Sequence, residues 1–275
     1  MSKGKYILVN GTFVPTEEHR ITLQESEALV FSEKIRSVRS AFPFFRESLE
    51  VLKLNLHLYN QSFPEFTDHY GSELKRQMER TLTKNKHFLG AVLTLTIRFT
   101  QPKIHYTIQS ETLEPIGYEL NEKGLFIELD TKIQKSASSL SSLSIGSDIF
   151  WNIAQSHLND PTADQLLMLN TNNQIVDIPD TNFYVIKGTS VRGASREQGA
   201  YIDITRPLML DIFRSLNLEY SESEGITGRD IQECEEILIV NAIEGVRWIA
   251  GYEGKRFFNN TIRKISELFI RAKLN

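Results

Sequence analysis

The most constraining feature of the chain is the segment from Ser144 to Asn182, where a helical pattern leads into two strands. Apolar residues recur at helical spacing in 148–158, which predicts a helix. Residues 165–169, Q-L-L-M-L, form a short apolar run typical of a buried strand, and 183–186 form another. The polar pair Asn172-Asn173 predicts a turn between them. The chain therefore combines helices and strands.

Composition excludes several classes of function. The chain has 275 residues, 40% of them hydrophobic and 24% charged, which is ordinary for a globular protein that buries a sizeable core. Its formal net charge of -4 provides no basic field for nucleic acid. No apolar run approaches the roughly 20 residues that span a bilayer. The N-terminus shows no signal-peptide pattern, so the sequence predicts a cytoplasmic protein.

Cysteine and histidine usage argues against disulfide and metal chemistry. Cys234 is the one cysteine, so the chain cannot form an internal disulfide. The six histidines are scattered and show no spacing typical of a metal site. We therefore predict no metal ligands.

The first part of the chain predicts a small α+β domain. The Asn10-Gly11 pair between two apolar runs is typical of a hairpin. Leucines at helical spacing predict a helix over 46–59, and the charged segment 72–83 predicts an exposed helix. Alternating residues predict strands at 90–100 and 104–108. We place this domain at residues 1–112.

A polar segment with Pro115, Gly117 and Gly124 predicts an interdomain connection at 113–124. A larger, sheet-rich α/β domain is predicted for 125–275. Serine is frequent in 135–147, which we interpret as a solvated loop before a helix. The remaining predicted elements of this domain are a helix after Thr205, strands at 237–240 and 246–250, and a helix at 260–272.

Several fragments lie in the same order as the motifs of one protein family. Residues 163–170, A-D-Q-L-L-M-L-N, are followed by Asp177 and by Asn182-Phe183-Tyr184. Residues 199–206, G-A-Y-I-D-I-T-R, are similar to a G-x-x-x-G-[IV]-[TM]-R motif. Weaker matches lie at 10–14, 33–36, 235–242 and 245–249. Together they resemble the class IV aminotransferases, which include branched-chain aminotransferases and aminodeoxychorismate lyases.

The resemblance implies a two-domain α/β (α+β) fold of the D-amino-acid aminotransferase type, which belongs to fold type IV of the pyridoxal phosphate enzymes. It also implies a homodimer with the cofactor in a cleft between the domains. The apolar residues Phe42 to Phe45 are candidates for the dimer interface.

Four positions depart from the family at residues that only catalysis requires. Ser144 stands where the resemblance places the Schiff-base lysine, and a hydroxyl cannot form an imine. Val51 replaces the arginine that binds the phosphate, Ile149 replaces a tyrosine, and Ala242 replaces a second phosphate-binding threonine. A shift in the alignment of about ten residues could bring Lys132 or Lys135 to the lysine position.

Other family positions are retained. The resemblance places Asp177 opposite the pyridine nitrogen, where the family has a glutamate that is one methylene longer. It also places Ile204 and Thr205 around the phosphate at a helix N-terminus. Each also has a structural explanation. Asp177 could be an acidic turn residue beside Pro179, and Thr205 could be kept as a helix N-cap.

Two functional hypotheses follow from these positions. In the first, the chain is a non-catalytic homologue without covalently bound pyridoxal phosphate, which could bind a small anion in the interdomain cleft. In the second, it is an active aminotransferase or aminodeoxychorismate lyase-like enzyme that uses pyridoxal phosphate on an amino acid or aminodeoxychorismate. The lost lysine favours the first hypothesis, because an amine is needed for transaldimination and a base for the proton shift.

A local group of basic residues is a further candidate for anion binding. It consists of Lys187, Arg192, Arg196 and Arg206 around Gly193. A solvated loop is the alternative interpretation. We predict neither a nucleic-acid partner nor a membrane partner.

Overall fold

The computed structural model describes residues 1–26, 28–100, 103–158, 161–222 and 225–274, without the side chains of Ile145 and Gly146. The described residues form two compact units. The first contains Met1–Gly117 and Leu274, and the second contains Tyr118–Lys273. The change of unit between Gly117 and Tyr118 falls inside the segment that the sequence assigns to a connection.

The first unit is built on an antiparallel five-stranded sheet with the order β2-β1-β5-β4-β3. Its strands are β1 (Tyr6–Val9), β2 (Thr12–Pro15), β3 (Leu29–Val38), β4 (Gly90–Thr100) and β5 (Lys103–Thr112). The hairpin predicted at Asn10-Gly11 is confirmed, since both residues have the positive φ that a tight turn of this kind requires, 47° and 83°.

Four helices accompany this sheet. They are α1 (Leu23–Ser26), α2 (Phe45–Leu58), α3 (Pro64–Thr67) and α4 (Ser72–Asn85), with a short 3₁₀ turn at His69–Gly71. The prediction that the charged helix is exposed is wrong for one of its faces. Leu74, Met78 and Leu82, spaced four residues apart, are buried in the core of the unit.

The proposed interface residues also belong to the interior of the first unit. Phe42 and Phe44 are buried within their own chain, and Phe42 and Phe45 pack against each other in the core. Phe42 and Phe44 are therefore not available to a second subunit, and the suggestion that they contribute to a dimer interface is wrong for these two side chains.

The second unit contains a mixed nine-stranded sheet with the order β11-β10-β9-β12-β13-β6-β7-β8, and β14 pairs with β13. Its strands are β6 (Leu125–Lys135), β7 (Gln165–Asn170), β8 (Ile175–Asp177), β9 (Asn182–Lys187), β10 (Ser190–Gly193), β11 (Glu219–Ser221), β12 (Glu236–Asn241), β13 (Gly245–Tyr252) and β14 (Lys255–Arg256). Its helices are α5 (Ser144–Ser156), α6 (Arg206–Ser215), α7 (Gly228–Glu233) and α8 (Asn260–Leu274), with a 3₁₀ turn at Ser139–Ser142.

Strands β6, β7 and β8 bring two distant charged residues together. Lys135, the last residue of β6, is in parallel register with Asn170, while Asp177, the last residue of β8, lies opposite Met168. Neighbouring strands lie about 4.8 Å apart, so strands β6 and β8 are separated by roughly 10 Å. A lysine side chain and an aspartate side chain extended toward each other span that gap.

The serine-rich segment is only in part the solvated loop that the sequence predicts, since Ser136 and Ser139 are exposed but other members are not. Lys135, Ser141, Ser142 and Ser147 are all buried. Helix α5 also begins at Ser144, earlier than the predicted start at 148. Several serine hydroxyls, those of Ser138, Ser141, Ser142 and Ser147, form hydrogen bonds within the segment, which composition alone did not reveal.

Among the described residues, no helix is both long enough and apolar enough to cross a membrane.

Candidate functional site

Asp177 is the centre of a buried polar cluster in the second unit. Its side chain is fully buried, and one carboxylate oxygen, Oδ2, forms an ion pair with the Lys135 ammonium group. The backbone N–H of Tyr201 donates to Oδ1 at 2.7 Å, and the indole Nε1 of Trp151 lies 3.4 Å from Oδ2. The interpretation of Asp177 as an acidic turn residue is therefore wrong.

Lys135 is equally enclosed. Its side chain has no exposed surface, and Nζ donates to the Ser147 hydroxyl at 2.9 Å. That hydroxyl donates in turn to the Ser141 carbonyl oxygen at 2.6 Å. The ammonium group also lies 5.8 Å from the centroid of the Trp151 ring. The serine-rich segment thus surrounds the lysine, which sequence reasoning considered only through a shifted alignment.

Opposing effects act on the Asp177 carboxyl group. Burial raises the pKa of Asp177, and the contacts with Lys135 and with the Tyr201 amide oppose that rise. An ammonium group in direct contact is the partner that allows a carboxylate to stay ionised in a dry interior. Lys135 and Asp177 together carry no net charge, so the cluster is electrically neutral when both groups are ionised.

Gly199 allows a loop to close over this cluster. It has a φ of +82°, and a Cβ at this position would lie 2.3 Å from the Ser136 carbonyl oxygen. Any side chain would push the loop that carries Tyr201 away from Ser136 and Lys135. The first glycine of the G-x-x-x-G motif is therefore retained for a backbone reason.

A second polar cluster lies at the start of α6. Thr205 is fully buried and holds the N-cap position, as predicted, but its side chain does not cap the helix. Its hydroxyl donates to Asp203 Oδ1 at 2.6 Å, and its backbone N–H donates to the same oxygen at 2.8 Å. Both donors of Thr205 are therefore directed at one internal carboxylate.

Asp203 collects further donors. It is 5% exposed and also accepts a hydrogen bond from the backbone N–H of Ala242. Burial raises the pKa of Asp203 to about 6, against the hydrogen bonds from Thr205. Sequence reasoning missed this residue. The signal was present in the G-x-x-x-G motif, whose second glycine is matched by Asp203.

Tyr201 connects the two clusters. Its backbone N–H binds Asp177, and its hydroxyl lies 3.4 Å from Asp203 Oδ2. Asn182 donates through Nδ2 to the Tyr201 carbonyl oxygen at 2.7 Å, which orders the loop. The structure therefore joins Asp177, Thr205 and Ala242 into one buried polar site. Lys135, which the sequence offered only through a shifted alignment, and Asp203, which it did not offer, belong to the same site.

The remaining predicted positions lie outside these hydrogen bonds. Ser144 is the half-buried first residue of α5, and Ile149 on the same helix is 64% exposed. Ile204 is half-buried between Asp203 and Thr205. Val51 is a half-buried residue of α2 in the first unit.

The basic residues around Gly193 do not form one cationic cluster. Lys187 pairs with Glu233 at 3.0 Å, Arg192 pairs with Asp230, and Arg206 pairs with Glu222. Arg196 is exposed. Because three of the four cations already face carboxylates, this region offers little attraction for a free anion.

Comparison with solved structures identifies the fold. A branched-chain aminotransferase from Thermoproteus uzoniensis, solved with norvaline, is similar with a TM-score of 0.82 and 17% identity over 98% of this chain and 94% of that chain. The branched-chain amino acid aminotransferase of Escherichia coli gives a TM-score of 0.76 and 15% identity over 98% and 96%. That of Thermobaculum terrenum in its PLP-form gives 0.80 and 14% over 98% and 94%. The predicted α/β fold is confirmed.

Comparison with family models supports the same assignment, whereas comparison with individual proteins does not contribute to it. No curated protein gives a significant sequence match. The model of the family described as amino-transferase class IV matches residues 46–252, which is most of the chain. The chain belongs to the class IV aminotransferase family.

Proposed function

We propose that this chain is a class IV aminotransferase homologue that does not form a covalent link with pyridoxal phosphate and is not a transaminase. One observation carries the proposal. Asp177, at the family position for the pyridine nitrogen, is already paired with Lys135 in a fully buried cluster. The partner that a protonated ring nitrogen requires is thus taken by an ammonium group of the chain itself.

The other residues at the family's cofactor positions fit pyridoxal phosphate poorly as well. When bound, this cofactor supplies an electron-accepting ring and an aldehyde that reacts with an amine. The amine position is Ser144, the phosphate arginine position is Val51, and the hydroxyl and amide donors near Thr205 face Asp203. A carboxylate among those donors repels a phosphate dianion. We therefore propose that these residues do not hold the cofactor.

The proposed role is that of a binding or structural protein built on an enzyme fold. The buried clusters around Asp177 and Asp203 occupy the positions at which the family binds the cofactor. Side chains of the second unit therefore fill this part of its interior. Binding of a small anion stays a prediction. The Thr205 donors are not part of such a site, because they already bind Asp203. Homodimer formation, implied by the resemblance, is tested by light scattering.

Lys135 also supports a second candidate function. A fully buried lysine beside the retained Asp177 is an amine close to the residue that the family uses for the pyridine ring. If Lys135 forms the imine, the chain is an active aminotransferase or lyase-like enzyme with its lysine at an unusual sequence position.

A trapping experiment separates these two candidates. The purified full chain is incubated with pyridoxal phosphate, its visible spectrum is recorded, and borohydride is added before peptide mapping. We expect no band of an internal aldimine and no stoichiometric reduced adduct. A stoichiometric adduct at Lys135 would establish the second candidate and refute the proposal.

Matched variants make the trapping result specific. Lys132 is exposed on the same strand as Lys135, so Lys132→Met controls for surface lysines that react weakly with the aldehyde. An adduct that is lost in Lys135→Met but kept in Lys132→Met identifies the buried amine. The double variant Ser144→Lys and Val51→Arg asks separately whether the family chemistry can be restored.

A further inference from the structure

We infer that Asp203 is a built-in anion: its carboxylate occupies the donor cradle that the family motif directs at a phosphate. The inference deepens the proposed function and rests on it, since the cradle is recognised through the family motif. It explains why a protein with this fold can retain Thr205 and the start of α6 without a bound phosphate.

The first support is the set of donors. The backbone N–H and the hydroxyl of Thr205 reach Asp203 Oδ1 at 2.8 and 2.6 Å, and the amide of Ala242 completes the set. Thr205 and Ala242 are two of the positions that the resemblance assigns to phosphate contacts. Donors of this kind at a helix N-terminus stabilise negative charge, whether it comes from a ligand or from a side chain.

The second support is the substitution itself. Alignment of G-A-Y-I-D-I-T-R with G-x-x-x-G-[IV]-[TM]-R places Asp203 at the second glycine. Glycine has no side chain and leaves the space beside the donors open, whereas aspartate inserts a carboxylate there. The first glycine of the motif, Gly199, is kept because its backbone conformation requires it. Of the two glycines in the motif, only the one beside the donors is replaced, and the residue that replaces it is anionic.

The third support is burial. Asp203 is 5% exposed and Thr205 is fully buried, so the hydrogen bonds between them are shielded from water. If the carboxylate were removed, the donors would be left buried without an acceptor, which is unfavourable. A small anion of the same shape is the group that can satisfy them again.

Chemical rescue tests this inference in the full chain without pyridoxal phosphate. Asp203→Gly removes four heavy atoms, the same number that acetate contains. We expect Asp203→Gly to be less stable than wild type in chloride, and 100 mM acetate at equal ionic strength to raise its Tm by about 3 to 5 °C. Wild type should not respond, because its cradle is already filled.

Asp211→Gly provides the matched control. Asp211 lies on α6 itself and its side chain is 70% exposed, so the substitution removes the same charge and the same atoms without uncovering buried donors. Acetate should leave the Tm of this variant unchanged. An equal response of both variants, or no response of Asp203→Gly, would overturn the inference.

A second variant covers the case in which Asp203→Gly does not fold. Asp203→Ala removes three heavy atoms and is matched to formate in the same assay. Recovery of a cooperative unfolding transition in formate supports the inference, while failure of both variants to respond to their anions contradicts it. Trapping of pyridoxal phosphate by wild type would refute the proposed function alone, because the rescue assay contains no cofactor.

Discussion

Asp177 and Asp203 are two buried carboxylates in the same unit, joined by Tyr201, yet they are stabilised in different ways. Asp177 is in contact with a cation, Lys135. Within the described part of the chain, the donors around Asp203 are neutral. They are the Thr205 hydroxyl, the amides of Thr205 and Ala242, and the Tyr201 hydroxyl. One site is an internal ion pair, and the other is an anion held by dipoles.

Under the proposed function, the difference teaches how side chains of the protein can take the place of a cofactor's charged groups. A pyridine nitrogen is a cationic partner for a carboxylate, and Lys135 supplies a cation of its own chain. A phosphate is an anion held by amides and a hydroxyl, and Asp203 supplies an anion. On this proposal, the sign of each charge is preserved at each end of the site, while the group that carries the charge has changed.

The largest expected effect comes from breaking the ion pair. Lys135→Met leaves Asp177 buried without its cation, so we expect the free energy of unfolding to fall by about 3–5 kcal/mol at neutral pH. Both tryptophans, Trp151 and Trp248, belong to the second unit, so urea unfolding followed by tryptophan fluorescence reports on it. Lys132→Met is the control.

The double variant Lys135→Met and Asp177→Leu sharpens the same test. With both charges removed, no buried charge is left uncompensated, and most of the lost stability should return. A loss below about 1 kcal/mol in the single variant would show that Lys135 and Asp177 do not form the buried pair described above.

Next in size is the pH dependence at Asp203. Its pKa is raised to about 6 from 3.8, so the native state binds more protons than the unfolded state between these values. Stability therefore falls as pH rises through this window. Asp203→Asn removes the titration, and its stability relative to wild type should rise by about 2 kcal/mol between pH 4 and pH 7.

The measurement is the slope of the difference in unfolding free energy against pH, which is insensitive to a constant offset caused by the amide. Asp211→Asn, on the exposed face of α6, serves as the reference. A flat difference between pH 4 and pH 7 would argue against a buried, titrating Asp203.

A smaller effect is expected at Thr205. Thr205→Val keeps the shape of the side chain but removes the hydroxyl donor, so the buried carboxylate loses one hydrogen bond. We expect a loss of about 1–3 kcal/mol in unfolding free energy at pH 7. Thr205→Ser keeps the hydroxyl and should lose clearly less. Equal losses in both variants would indicate that packing of the methyl group matters more than the hydrogen bond to Asp203.

The smallest effect concerns Ser147. Ser147→Ala removes one hydrogen-bond acceptor from Lys135 Nζ while the contact with Asp177 remains, so a loss of about 1 kcal/mol is expected. Ser156 is exposed on the same helix and its hydroxyl bonds only locally, so Ser156→Ala is the matched control. If both variants lose the same amount, the serine-rich segment does not stabilise the buried lysine.

Local patterns predicted the elements of the fold well. The Asn10-Gly11 hairpin, the helix after Thr205 and the strand around Leu167 follow from turn chemistry, helix-start signals and short apolar runs. Family motifs added the overall architecture, because their order along the chain carries information that no single element contains.

The serine-rich segment shows where local reasoning failed. Serine is common in exposed loops, and nothing in the composition of 135–147 shows that Ser141 and Ser147 are buried. Their burial depends on Lys135, whose own burial depends on Asp177 more than 40 residues away. A contact between residues so distant in sequence is set by strand order and register, which the local pattern does not contain.

By itself, the sequence determined the family and the position of most elements, and it predicted that Ser144 stands where the family has its Schiff-base lysine. Only the tertiary structure decided which charged groups meet at the retained positions. The pairing of β6 with β7 and of β7 with β8 brought Lys135 to Asp177, and the start of α6 directed its donors at Asp203. Burial makes these contacts important. Water solvates a charge at the surface, whereas a charge in the interior requires a partner from the chain itself.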